Sequence, residues 1–338
     1  MNFQSINLKE LKMEIIHDSA ADLSVLNGKT IAIMGYGAQG RAQALCMRDS
    51  GLNVVIGARP GKSWDAATQD GFEVLSVSEA AKKADVIHLL LPDENHGPIY
   101  KSEIAPYVTA GKTLMCSHGF AYVFGEIVPP ADVDVIMVAP KSPGTEVRKR
   151  FVEGFGVPGL IAVRQNCSGK AREVALAIAK AEGLTRAGVL ECTMEQETYE
   201  DLFGEQNVLC GGTVDLMKYG FEVLTEAGYP PEMAYFECVH EAKLIVDLIY
   251  EGGIQRMNQV ISNTAEWGEY DNGPFILPAD VKERMKESLR RIESGEFAEK
   301  WLKEARSGYP VLKAKREGLG EHEVEIVGKR IRSLFEKK

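Results

Sequence analysis

The chain has 338 residues, 45% hydrophobic and 26% charged, an ordinary globular composition with enough length for two domains. Its 39 basic and 49 acidic residues leave a formal charge of −10 without a long basic run, which argues against nucleic acid or an anionic membrane as partner and for small molecules. The N-terminal segment MNFQSINLKELKMEIIHDSA has no apolar h-region or small-residue cleavage site, and no stretch approaches ~18 consecutive apolar residues, so a cytoplasmic protein without a membrane span is expected.

From residue 30 to about residue 163, short apolar runs alternate with helical stretches, the pattern of a βαβ series and a parallel sheet. Strands are predicted at 30–34, 53–57, 86–91, 113–116, 133–139 and 159–163. The segment AREVALAIAKAEG then has helical spacing and stops at Gly183. Beyond residue 195 the texture is that of long amphipathic helices, with no fixed-period repeat and no low-complexity tract. The expected architecture is an α/β Rossmann-type dinucleotide-binding domain over 1–190 and an all-α domain over 191–338, the boundary falling near 190–193. Six cysteines, Cys46, Cys116, Cys167, Cys192, Cys210 and Cys238, show no C-x-x-C spacing and read as reduced, mostly packed thiols.

The strongest local motif is KTIAIMGYGAQGRAQALCMRDSG, an apolar strand entering Gly35-x-Gly37-x-x-Gly40 and then a helix. Gly35 suits the tight turn, Gly37 lets backbone approach a pyrophosphate, Gly40 permits close packing, and the helix N-terminus attracts phosphate. After the second strand, where an NAD site usually has an acidic residue for the ribose 2′-hydroxyl, stand Arg59, Lys62 and Ser63. A guanidinium with a hydroxyl suits a 2′-phosphate, so these residues lean toward NADPH, although a solvated basic turn also fits them.

Asp201 with Glu205, and Glu237 with Glu241, are each spaced i, i+4 and so share a helix face. Together they offer the hard oxygen donors that Mg²⁺ prefers. Glu195, Glu197 and Glu200 crowd the first segment, so a solvated acidic face fits as well; the apolar residues around both pairs favour a cation. His118 in CSHGF and Lys141 in VAPKSPG follow strands at the sheet edge where ligands bind, His118 suited to proton relay and Lys141 to an oxyanion, or each to a surface or capping role. His17, His88, His96, His240 and His322 have no such context.

The order GYGAQGRAQA, SHGF, VAPKSPG, DLFGEQNVLCGG, GYPPEMAYFECVHEAKLIVDLIYEGG and ISNTAEWG resembles the class I ketol-acid reductoisomerases over almost the whole chain. The resemblance implies a site for two Mg²⁺, with Asp201 and Glu205 from one subunit and Glu237 and Glu241 from its partner, and with Glu205 and Glu241 also moving protons. It implies substrate contact by Ser262, polar active-site roles for His118 and Lys141, and cofactor contacts by Gly35, Tyr36, Gly37, Ala38, Gln39, Gly40, Arg59, Ser63 and Gly144. A knotted helical domain and an intertwined homodimer, open to further assembly, are implied too. The reaction implied is alkyl migration of 2-acetolactate or 2-aceto-2-hydroxybutyrate, then reduction by NADPH or NADH to the 2,3-dihydroxy acid, in branched-chain amino-acid biosynthesis. A metal-free 3-hydroxyacid dehydrogenase and a dinucleotide sensor are the rival readings of the glycine loop.

Departures from the family pattern stand out at three places: Arg41, the SPGT and SHGFA turns, and the ARPGKS loop. Arg41 replaces the usual histidine, SPGT with Thr145 replaces GPGH, and Ala121 replaces asparagine in SHGFN. The loop ARPGKS is one residue shorter than the common form and lacks one phosphate-binding serine. That loss brings NADH within reach and leaves the choice between the two cofactors open.

Overall fold

The structure is a computed structural model, and it describes residues 13–335; most of the N-terminal segment read for targeting signals lies outside them. The chain divides into two compact units, 1–198 and 199–338.

The first unit is built on eight strands: β1 (Thr30–Met34), β2 (Asn53–Gly57), β3 (Glu73–Leu75), β4 (Val86–Leu89), β5 (Thr113–Cys116), β6 (Asp134–Pro140), β7 (Gly159–Gln165) and β8 (Val189–Glu191). They form one sheet in the order β3-β2-β1-β4-β5-β6-β7-β8. The crossovers between them carry α1 (Ala38–Asp49), α2 (Lys62–Gln69), α3 (Val77–Lys83), α4 (Asp93–Ile99), α5 (Phe120–Val123), α6 (Gly144–Val152), α7 (Ala171–Ala181) and α8 (Leu184–Ala187). The central strands are apolar on both sides because helices cover both faces. Ile31, Ile33, Ile136 and Val138 pack into one core layer, while Ala32, Ile87, Leu89 and Met137 pack into the other, and all are essentially inaccessible to solvent. Each buried branched side chain of this kind contributes about 1.5–3 kcal/mol. A capping box at Ser76 and Glu79 starts α3.

The sheet departs from the all-parallel expectation at one pair. β7 runs antiparallel to β6, with Pro140 opposite Gly159. The α6 excursion leaves and returns at the same end of the sheet, packing beside α1 rather than crossing the sheet's length, so the next strand must run backwards. Lys141 N–H donates to Pro158 O at 2.9 Å and closes the neck of this excursion. The short strands β3 and β8 were not anticipated, and β4 ends two residues before the expected limit. Three-residue strands carry too little alternation to be read from sequence.

The second unit is helical. α9 (Met194–Gly204) straddles the division, and α10 (Gly211–Glu226), α11 (Pro231–Tyr235), α12 (Glu241–Val260), α13 (Asn263–Ile276), α14 (Ala279–Glu293), α15 (Glu296–Arg306), α16 (Pro310–Gly320) and α17 (Glu323–Arg332) follow. Its core is small: Phe221, Ala234, Tyr235, Val324, Val327 and Ile331 pack where α10, α11 and α17 meet. By contrast α12 leaves Leu244, Ile245, Val246, Ile249, Tyr250 and Ile254 exposed, Tyr250 to 85%. Gly253 (φ 81°) kinks that helix.

π-helical turns interrupt the long helical stretches of this half at two places. One spans Glu205–Leu209 between α9 and α10, and the other spans Phe236–His240 between α11 and α12. A third, Tyr100–Ile104, follows α4. The cysteines are all free, with Cys46 and Cys116 buried and Cys167 and Cys210 exposed. Among the described residues no helix is long and apolar enough to cross a membrane.

Candidate active site

β1 delivers the chain into Gly35, whose φ of 100° lies in the left-handed region that favours glycine. A Cβ there would stand 2.7 Å from Leu90 O, so the turn is closed by the neighbouring strand's exit. Gly40 lies under Gly35 O, and a Cβ on Gly144 would stand 2.4 Å from Ala38 O; this brings the start of α6 onto the start of α1. Nothing lies within 4 Å of where a Gly37 side chain would go, which leaves the N-terminus of α1 open to a phosphate. Gln39 Nε2 donates to Ser142 O at 2.9 Å, and Gln43 Nε2 to Gln39 Oε1 at 3.1 Å. The fully buried Gln43 also lies 3.2 Å from Ser117 Oγ, which is 3.1 Å from Nε2 of the buried His88. One hydrogen-bonded chain therefore ties the glycine loop to both the Ser117–His118 and the Lys141–Ser142 turns. His88, to which the sequence reading gave no role, is its inner end; burial pulls its imidazole down to about 3 and keeps it neutral.

Tyr36 Oη donates to Asp70 Oδ2 at 2.8 Å, and Arg41 grips the same carboxylate with Nε at 2.7 Å and Nη2 at 3.0 Å. Arg41, the residue that departs from the family pattern, is thus engaged by Asp70, whose carboxyl is held low first by that guanidinium. Burial and the Asp70 bond push the Tyr36 phenol up. Arg59, just past β2, places Nη2 at 3.1 Å from Glu103 Oε1. Ser63 sits in the first turn of α2.

His118 follows β5 and Lys141 follows β6, both at the carboxyl edge of the sheet. The structure brings them together on one acid: Glu197 accepts from Lys141 Nζ at 3.2 Å through Oε1 and lies 3.2 Å from His118 Nδ1 through Oε2. Glu197 is buried on α9, so one side of that helix is not the solvated acidic face that its crowding allowed. A Cβ on Gly119 would meet Thr198 Oγ1 at 2.3 Å and Met194 Cγ at 2.5 Å, which shows how tightly the SHGF turn sits on α9. Glu197 was not singled out from sequence. The available signal was its place in the series Glu197, Asp201, Glu205, three acids at i, i+4 spacing.

Asp201 lies one turn after Glu197 on α9, half-buried, and Glu205 opens the π-helical turn that follows. Glu237 lies in the second π-helical turn and Glu241 begins α12; both are exposed. No three of these four carboxylates come within ligating distance of one another in the single chain, among the described residues. Such π turns shift the phase of a helix face and cluster at functional sites. Ser262 is the N-cap of α13, its Oγ accepting from Ala265 N–H at 3.1 Å.

Comparison with known proteins gives one answer. Residues 25–188 match the family "Acetohydroxy acid isomeroreductase, NADPH-binding domain", and residues 194–337 match "Ketol-acid reductoisomerase, C-terminal domain". The chain is 80% identical over 325 residues to a ketol-acid reductoisomerase (NADP(+)) of Akkermansia muciniphila, covering 96% of this chain and 100% of that protein. It is 63% identical over 332 residues to a ketol-acid reductoisomerase (NAD(+)) of the uncultured archaeon GZfos26G2, with 96% and 100% covered. The solved structure of an NADH-preferring ketol-acid reductoisomerase from an uncultured archean superimposes with a TM-score of 0.93 at 63% identity, over 96% of this chain and 100% of that one. The chain therefore belongs to the ketol-acid reductoisomerase family, the oxidoreductases of branched-chain amino-acid biosynthesis that rearrange and reduce acetohydroxy acids.

Proposed function

We propose that the chain acts on 2-acetolactate or 2-aceto-2-hydroxybutyrate, moving an alkyl group to the neighbouring carbonyl carbon and then reducing the new ketone to the 2,3-dihydroxy acid, with Mg²⁺ and NADPH or NADH. The observation that carries this is the buried Glu197 carboxylate between His118 and Lys141, joined through their turns to the glycine loop. The open N-terminus of α1, between glycines that admit no side chain, fits the pyrophosphate of a dinucleotide. Asp201, Glu205, Glu237 and Glu241 are the oxygen donors that fit Mg²⁺. Bound there, the cation supplies Lewis acidity toward the substrate oxygens and the nicotinamide supplies the hydride.

In the first step the hydroxyl gives up its proton and its carbon becomes the ketone, while the migrating alkyl group carries its bonding pair to the neighbouring carbonyl carbon, whose oxygen takes up the displaced π pair and a proton. Glu205 and Glu241 are the groups assigned to accept the hydroxyl proton. In the second step Lys141, oriented by Glu197 and by its pinned backbone, presents an N–H to the oxygen that gathers negative charge and returns a proton to it. His118 relays protons on the other side of Glu197, and Ser262 holds substrate. Gly35, Tyr36, Gly37, Ala38, Gln39, Gly40, Arg59, Ser63 and Gly144 line the cofactor.

The working unit in this reading is a homodimer in which Glu237 and Glu241 of one copy complete the Asp201–Glu205 pair of the other. The exposed apolar face of α12 supports it. The dinucleotide-binding domain is assigned to 1–190 and the helical domain to 191–338, in a cytoplasmic enzyme.

The test follows loss of NADPH or NADH absorbance on adding 2-acetolactate with Mg²⁺. Turnover abolished by EDTA, restored by Mg²⁺ and lost in Asp201→Asn with dinucleotide binding retained is the expected result. Turnover indifferent to EDTA and to Asp201→Asn overturns the metal assignment, and absence of turnover in folded, Mg²⁺-loaded protein overturns the reaction.

A further inference from the structure

We infer that Glu103 is a specificity-determining residue that disfavours the 2′-phosphate of NADPH by occupying the guanidinium of Arg59. The inference rests on the reading that Arg59 faces the adenosine ribose, since the ribose lies beyond the carboxyl end of the second strand in this fold.

Arg59 follows β2 by two residues and is 68% exposed in its side chain, yet its Nη2 is 3.1 Å from Glu103 Oε1. The acid does not come from the ARPGKS loop. It comes from the β4–β5 crossover, on the π-helical segment Tyr100–Ile104. That segment is fixed from both sides: Ser78 Oγ on α3 donates to Glu103 O at 3.0 Å, and the neighbouring Ile104 is fully buried. Of the three π-helical turns among the described residues, the other two carry the carboxylates Glu205 and Glu237. The third carries Glu103, and π-helical turns are frequent at functional sites.

The electrostatics give the direction. A 2′-phosphate carries close to two negative charges and seeks the planar donors of a guanidinium. A fixed carboxylate on the same guanidinium takes one of those donors, at Nη2, and repels the phosphate. A ribose 2′-hydroxyl has no charge to repel and can donate to the carboxylate, as the acidic residue of an NAD site does. Lys62 and Ser63 also stand on the loop, and Glu103 opposes the attraction of this basic loop for phosphate.

The test is Glu103→Gln in the full-length, Mg²⁺-loaded enzyme, with kcat and KM for NADPH and NADH and a fluorescence titration of each dinucleotide. The expected result is a rise of about tenfold in the NADPH-over-NADH ratio of kcat/KM, carried by KM rather than kcat. Glu103→Lys moves the ratio further the same way. In an Arg59→Ala background the Glu103→Gln change loses its effect on the ratio. A ratio left where it was by both Glu103 variants, with both dinucleotides still bound, overturns the proposal. Unchanged affinities in Arg59→Ala alone place the ribose elsewhere and overturn it together with the site reading on which it rests, while turnover with either cofactor still stands.

Discussion

Lys141 Nζ donates to Glu197 Oε1 at 3.2 Å although only 1% of the Glu197 side chain meets solvent. A carboxylate this deep is costly to bury without partners, and here they are His118 and Lys141. Glu197→Gln keeps the shape and removes the charge. It is expected to lower kcat by about 10²–10⁴-fold while dinucleotide affinity holds. Steady-state kinetics beside a cofactor titration checks this; an unchanged kcat would place Glu197 outside the reaction.

Gly144→Ala sets a methyl against the Ala38–Gln39 peptide, with backbone on both sides of the contact. Relief requires α6 to move off α1, and overpacking of this kind costs about 1–3 kcal/mol. Dinucleotide affinity should fall by about tenfold, because the displaced atoms belong to the glycine loop. Fluorescence titration with NADPH and NADH reads the loss, which should be common to both cofactors.

Two buried groups contribute to the pH dependence of stability in the first unit with opposite sign. Glu182 caps α7 fully buried with neither oxygen hydrogen-bonded among the described residues, and burial pushes its carboxyl well above the usual range. The fold therefore binds this proton more tightly than the unfolded chain does, so stability is lost as pH rises above the ordinary carboxylate value of about 4.3. His88, drawn down to about 3 by burial, works the other way: stability is lost as pH falls below about 6.5 toward that value. Glu182→Gln should raise Tm at neutral pH and have no effect near pH 4. Melting curves across that range test it, and a gain independent of pH would show that the carboxyl titrates alike in the folded and the unfolded chain.

Leu244 and Tyr250 lie exposed on α12, in the helix that begins with Glu241. Leu244→Asp with Tyr250→Glu is expected to give monomers by light scattering, with turnover lost and dinucleotide binding kept. Full turnover in a monomer would show that one chain assembles the whole carboxylate set.

The sequence by itself determined the nucleotide half and the identity of the metal-binding candidates. Strand-to-helix texture and the glycine spacing around Gly35, Gly37 and Gly40 are local signals, and local signals survive in a linear reading. So do the i, i+4 pairs Asp201–Glu205 and Glu237–Glu241 and the placement of His118 and Lys141 after strands. What only the tertiary structure decided are the properties that depend on distant segments. The reversal of β7 follows from where α6 packs. The burial of Glu197 follows from the SHGF turn lying on α9. The pairing of Arg59 with Glu103, residues 44 positions apart, follows from two crossovers meeting at one sheet edge. The same holds for the π-helical turns at Glu205 and Glu237, which a 3.6-residue periodicity reads straight through because one inserted residue shifts the helix face without breaking its apolar pattern.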